Sequence, residues 1–198
     1  MKGRWMVLVG LALAVAVRVP CVAAEPEVWR IDVSRSRIGF VVDSFLFETS
    51  GTFERWKGTV TLDREHIEGS SVQVVIQADS NDTGIGKRDE HLRGADFLDT
   101  SRFPTMTFSS TRVVRTGDRT FDLEGKLRLH GVTQRLTIGV TIERLSGAEA
   151  RFRGEVVLSR TAFGVDFNSR LNPISDEVRV TLVVTAVGSS EPEGGKSR

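Results

Sequence analysis

Four segments of this chain alternate apolar and polar residues with a period of two, and that pattern constrains the fold most strongly. Phe121, Leu123, Gly125, Leu127 and Leu129 interleave with Asp122, Glu124, Lys126 and Arg128. Leu136, Ile138, Val140 and Ile142 interleave with Arg135, Thr137, Thr141 and Glu143, while Phe152, Val156 and Leu158 oppose Arg151, Arg153 and Glu155. Val178, Val180, Leu182, Val184 and Ala186 repeat the pattern against Glu177, Arg179, Thr181 and Thr185. Successive side chains of a strand point to opposite faces, so each segment carries one apolar and one polar face. A sheet of such strands must pack on a second sheet or close on itself. The stretches 120–129 and 133–145 run to about ten residues or more, roughly 30 Å, longer than the usual five or six. Length and regularity predict an all-β fold, an antiparallel up-and-down β-barrel of about eight strands. A two-sheet sandwich is the alternative that periodicity leaves open.

Ser146-Gly147 and Thr116-Gly117-Asp118 read as hairpin turns between these strands. The stretch from Lys87 to Arg93, continuing to Asp99, is charged and helix-compatible, with Ser80 to Gly84 before it offering turn or cap chemistry. It predicts a short helical connection across one end of the barrel. At the start, Lys2 and Arg4 precede an apolar run from Trp5 to Val17, and Val22-Ala23-Ala24 offers small residues for cleavage. This pattern predicts a signal peptide over 1–24 and a periplasmic protein secreted by its removal. The run is shorter than the roughly 17–25 residues of a spanning helix, and Arg18 and Pro20 interrupt it. The barrel domain is expected over 25–188, followed by a polar, disordered tail over 189–198.

Loss of Lys2, Arg4 and Arg18 takes the 27 basic residues to 24 against 26 acidic ones, a net charge of −2. Such a balance gives no pull on nucleic acid. The single cysteine, Cys21, falls within the expected signal, and Arg18-Val19-Pro20 before it departs from a lipoprotein signal. His66, His91 and His130 lack the close spacing of a metal site, and no GxSxG nucleophile motif occurs. The inward sets carry no ionisable side chain over several positions, so they suit hydrocarbon better than acid-base chemistry. No enzyme activity, metal or cofactor is expected. Asn81-Asp82-Thr83 spells a glycosylation sequon. From alternation alone, a filled and a hollow interior are equally open.

The sequence resembles the YceI family of lipocalin-like, polyisoprenoid-binding proteins. Four blocks in order carry the resemblance. They are Arg88-Asp89-Glu90-His91-Leu92 with Asp96-Phe97-Leu98-Asp99; Phe103-Pro104-Thr105-Met106-Thr107-Phe108-Ser109-Ser110; Gly125-Lys126-Leu127-Arg128-Leu129-His130-Gly131-Val132-Thr133; and Arg160-Thr161-Ala162-Phe163-Gly164-Val165. The resemblance implies a lipocalin-like barrel whose hollow interior binds an amphiphilic isoprenoid, an isoprenoid quinone or a polyprenyl phosphate-type lipid, without catalysis. Transport, storage or sequestration of that lipid follows as the expected role, with transient membrane contact. An envelope stress or assembly adaptor with a filled barrel is the alternative, and a hydrolase or isomerase of such lipids is a third. One departure is Ser44, where many members have His, with a link to Gly51 one residue shorter.

The expected ligand-binding residues are Phe40, Val42, Phe97, Phe108, Phe121, Leu123, Leu127, Ile138, Val140, Phe152, Phe163 and Leu182 along the interior. Phe45 and Phe47 join them as a lid or membrane-touching loop, since Phe45-Leu46-Phe47 cannot all face one side of a strand. Arg88 and His91 would share a helix face and together could meet a head-group oxygen, or Arg88 and Asp89 could instead pin the connection to the barrel. Phe163 and Phe167, beside Gly164, are expected to plug a barrel end or line its mouth.

Overall fold

The computed structural model describes residues 27–63 and 65–188. The expected signal peptide over 1–24 and tail over 189–198 lie outside the described residues. The long alternating segments form antiparallel strands β7 (Thr105–Arg115), β8 (Thr120–Leu129), β9 (Val132–Leu145), β10 (Glu149–Ser159) and β11 (Ile174–Gly188). Each pairs with the next, for example Phe121 opposite Val140 and Gly154 opposite Leu182, with register shifts between Ser110 and Arg112 in β7 and between Arg151 and Phe152 in β10. Shorter strands precede them: β1 (Glu27–Ile31), β2 (Arg37–Ser44), β3 (Glu48–Phe53), β4 (Trp56–Leu62), β5 (Ser71–Gln77) and β6 (Asn81–Asp82).

Among the described residues, the ring β1-β4-β5-β7-β8-β9-β10-β11 closes through a β1–β11 pairing. The barrel therefore has eight strands in its ring. The up-and-down order holds from β7 to β11, but β1 lies beside β4 instead of β2. β10 occupies one flank of β11 along its length, so β1 and β2 share the other flank: Ile31 faces Ala186, and Arg37 faces Val183. A 3-10 turn over Val33–Arg35 separates them. Thr185, 1% exposed, stabilises that bend: its carbonyl accepts from the Asp32 N–H (2.9 Å), its N–H donates to Ser36 Oγ (2.9 Å) and its Oγ1 to the Arg35 carbonyl (3.2 Å). After the bend, β2 leads into β3, whose end pairs with the two-residue β6.

Trp29, Leu62, Phe121, Ala150 and Ala186 belong to one buried cluster, with Trp29, Ala150 and Ala186 fully inaccessible. Two aromatic side chains lie over glycines where a Cβ has no room. An added Cβ on Gly125 would meet the Phe108 ring at 2.5 Å, and one on Gly51 would meet the Phe40 ring at 2.5 Å.

One end of the barrel is where β2, β8 and β10 finish and β7, β9 and β11 begin. Helix α1 (Gly86–Arg93) lies in the connection between β6 and β7, matching the expected helical link. The expected cap chemistry from 80–84 is reversed, because Ile85 occupies the cap and gives no side-chain bond. Instead Asp89, within the helix, reaches back to accept from the Thr83 N–H (2.9 Å) and Oγ1 (2.6 Å).

Candidate functional site: an apolar cavity inside the barrel

The inward faces of the ring enclose a cavity of about 320 Å³. Its wall is drawn from nearly every strand, including Ile38, Val74, Leu127, Leu136, Val156 and Val184. The surface facing the void is carbon; Ser70, Asn81 and Arg160 approach the wall but turn no nitrogen or oxygen into it. Leu127, Leu136, Val140, Phe152, Val156, Val180 and Leu182 point inward yet remain incompletely buried. A filled core leaves no such residual exposure on inward side chains, because interiors pack to crystal-like density. Their exposure measures the void.

Polar networks outside the wall hold the cover in place. Asn81, 1% exposed, receives the Arg93 guanidinium on its carbonyl (2.9 Å) and on Oδ1 (3.2 Å), and donates Nδ2 to the Asp89 carbonyl (3.3 Å). This burial places the sequon asparagine beyond the reach of glycosylation in the folded protein. Helix α1 and the turn after it then direct Leu92, Phe97 and Leu98 onto the cavity.

The connection from β10 to β11 is organised by Arg160. This guanidinium, 8% exposed, donates to the carbonyls of Val165 (2.7 Å), Phe167 (2.8 Å), Ser175 (2.9 Å) and Ile174 (3.1 Å). The bonds fold residues 160–174 over the barrel, seat Phe163 and Val165 in the cavity wall, and bring Phe167 against Phe97 with centroids 5.0 Å apart. Asp176 secures the start of this connection by accepting from Thr161 Oγ1 (2.6 Å) and its N–H (3.0 Å). Hydrogen bonds from Thr161 and Ser159 favour the ionised carboxylate and hold its pKa down to about 2.

Twelve of the sixteen expected site residues line the cavity: Phe40, Val42, Phe97, Phe108, Phe121, Leu123, Leu127, Ile138, Val140, Phe152, Phe163 and Leu182. The structure does not bring Arg88 and His91 to it. Arg88 turns to Thr83, donating Nε to Oγ1 (2.8 Å) and Nη2 to the carbonyl (2.9 Å), which pins the connection. His91 packs edge-on against Phe97 and Phe167 at the outer surface and faces Asp96 at 3.2 Å. Phe45 and Phe47 also lie outside the wall, 79% and 53% exposed at the tip between β2 and β3. Phe163 lines the cavity while Phe167 caps it from outside.

Arg160 opens the Arg160–Val165 block, but its role in positioning the connection has no local sequence signature. Trp56, Val60 and Met106, absent from the expected site residues, line the wall from β4 and β7. Their signal was the same inward phase, diluted in β4 by short length. Among the described residues, no three His, Cys, Asp or Glu side chains lie together as a metal site would require.

Comparison with known proteins agrees with this geometry. The profile of the YceI-like domain matches residues 29–186. A UPF0312 protein of Azotobacter vinelandii and Protein YceI of Escherichia coli O157:H7 are each 37% identical over 142 residues, covering 69% of this chain and 73% of theirs. The crystal structure of Burkholderia cenocepacia BcnA superposes with a TM-score of 0.74 at 25% identity, covering 78% of this chain and 98% of that one. A polyisoprenoid binding domain from Saccharophagus degradans, implicated in plant cell wall breakdown, has a TM-score of 0.65 at 18% identity, over 81% and 98% of the two chains.

Proposed function

The chain belongs to the family of YceI-like domains, and from that premise we propose that it binds one amphiphilic isoprenoid lipid without turning it over. The tail occupies the barrel and the head group stays at the loop end. The observation that carries this reading is the all-carbon surface around a void of about 320 Å³. Such a wall rewards hydrocarbon and penalises any buried head group that it cannot hydrogen-bond. It likewise presents no acid, base or nucleophile to a bound tail, which supports binding without chemistry. The polyisoprenoid-binding description of the Saccharophagus degradans domain supports an isoprenoid as the ligand class. An isoprenoid quinone or a polyprenyl phosphate-type lipid has the required form.

Energetics support a carrier, store or sequestering protein. Burying a tail of about 40 carbons from water is worth roughly 30 kcal/mol at about 0.8 kcal/mol per methylene, beyond the practical affinity ceiling of about 18–21. Membrane, whose tails are as apolar as the barrel, is therefore the relevant source and sink, and exchange between them is nearly balanced. A protein delivered to the periplasm by a cleaved segment over 1–24 would meet such membranes. The test is transfer of radiolabelled polyprenol and ubiquinone from detergent micelles to purified protein. Saturation near one lipid per chain, with the lipid recovered chemically unchanged, is expected. No transfer would overturn the reading, and recovery of a converted lipid would replace binding with catalysis.

A further inference from the structure

Beside the cavity, the loop end carries an exposed apolar tip. Phe45, Leu46, Phe47 and Leu171 are 79%, 66%, 53% and 89% exposed. They come from two different connections that are hydrogen-bonded into one body: the Phe45 N–H donates to the Pro173 carbonyl (2.9 Å), and the Leu46 N–H to Asn172 Oδ1 (2.9 Å). These bonds satisfy the Phe45 and Leu46 N–H groups and fix the tip, so the side chains are held in solvent by structure. Exposing four large apolar groups together costs solubility and calls for a partner.

We propose that this tip inserts into the interface of an electrically neutral bilayer, setting the barrel mouth against the membrane; this rests on the reading of the barrel as a lipid binder. Three observations select that occupant. The tip lies where β2 ends and β11 begins, Ser44 standing opposite Ile174, and Val42 and Ile174 both line the cavity. Docking there joins the acyl interior to the cavity over a continuous apolar path.

The bordering charges form no basic patch. Arg179 bridges Asp43 (2.7 Å) and Glu48 (3.2 Å) and also faces Glu177, which leaves the exposed Arg170 as the other cation of the tip's surroundings. Burial, not charge, must then drive docking, which favours a zwitterionic surface over an anionic one. The tip exposes roughly 500 Å², short of the roughly 800 Å² per partner of a stable protein interface. It is too small for a second copy.

The test uses Leu46→Trp protein and phosphatidylcholine vesicles with brominated acyl chains, the signal of the parent's own tryptophans being subtracted. Quenching at the new tryptophan, unchanged by salt or by added anionic lipid, is expected. In parallel, Phe45→Ser/Phe47→Ser/Leu171→Ser should weaken vesicle association at least about 100-fold, with its melting temperature and its polyprenol uptake from micelles unchanged. Absent quenching overturns the proposal, as does quenching only on anionic vesicles or self-association that shields position 46. Failure of micelle uptake in both proteins would instead strike the cavity reading, leaving docking to be decided by quenching alone.

Discussion

Inward side chains that are not fully buried make a signed prediction for small-to-large substitution. Val140 on β9 and Val180 on β11 both face the cavity and retain accessible surface. In a core packed to ordinary density, exchanging either for Phe forces neighbours apart and costs about 1–3 kcal/mol. A void of about 320 Å³ reverses the sign, because the ring enters space that no atom occupies. At roughly 24 cal/mol per Å³, that void forgoes about 8 kcal/mol of packing. Four added carbons at roughly 0.8 kcal/mol each recover about 3 kcal/mol, reduced to about 1–2 by partial contact and lost rotamers. Val and Phe are both favoured in strands, so backbone preference contributes little. One kcal/mol moves Tm by about 2–4 °C in a chain of this size. Val140→Phe and Val180→Phe should each raise the Tm of delipidated protein by about 2–8 °C in calorimetry while lowering the amount of polyprenol bound. A fall in Tm for both would show that the interior is already filled and refute the reasoning.

Two further predictions concern the connection over the mouth. Arg160→Met should leave four carbonyls without their shared donor and, at about 1–3 kcal/mol for each buried acceptor left unpaired, unfold the 160–174 connection before the barrel. Amide hydrogen exchange should accelerate across that segment, and Arg160→Lys should not rescue it, since one ammonium lacks the guanidinium's fork of donors; protection equal to wild type would contradict the assigned role. Asp176, whose folded pKa is lowered to about 2 from 3.8, stabilises the fold fully above 3.8 and loses that contribution as pH falls through about 2. Asp176→Asn should therefore lower Tm at pH 6, with the difference from wild type shrinking between about pH 4 and pH 2; a difference independent of pH would remove the carboxylate from the account.

The interior was legible because it follows from a local rule. Phe121 to Leu129 and Val178 to Val184 declare their inward face two residues at a time, and short hairpins join β7, β8, β9 and β10 in sequence. The bend after β1 was not legible. It depends on Thr185 meeting Ser36 and Arg35 from about 150 positions away, and no local pattern encodes that contact. The void was equally hidden, since Leu182 facing empty space and Leu182 facing another side chain look alike in sequence. Strand number and tilt decide between them. Arg88 and His91 were attractive through their spacing on one helix, yet Thr83 and Asp96 lie near enough to take each side chain separately. The run Phe45-Leu46-Phe47 announced its exposure correctly, because three consecutive large apolar residues cannot all face one side of a strand.

The central claim is that the barrel holds an isoprenoid tail, and the most direct measurement is organic extraction and mass spectrometry of the protein recovered from its native envelope, beside a control protein of the same compartment. An isoprenoid lipid present near one per chain, absent from the control and lost in Val140→Phe/Val180→Phe, is the predicted result. An extract without isoprenoid from protein that also takes up none from vesicles would contradict it.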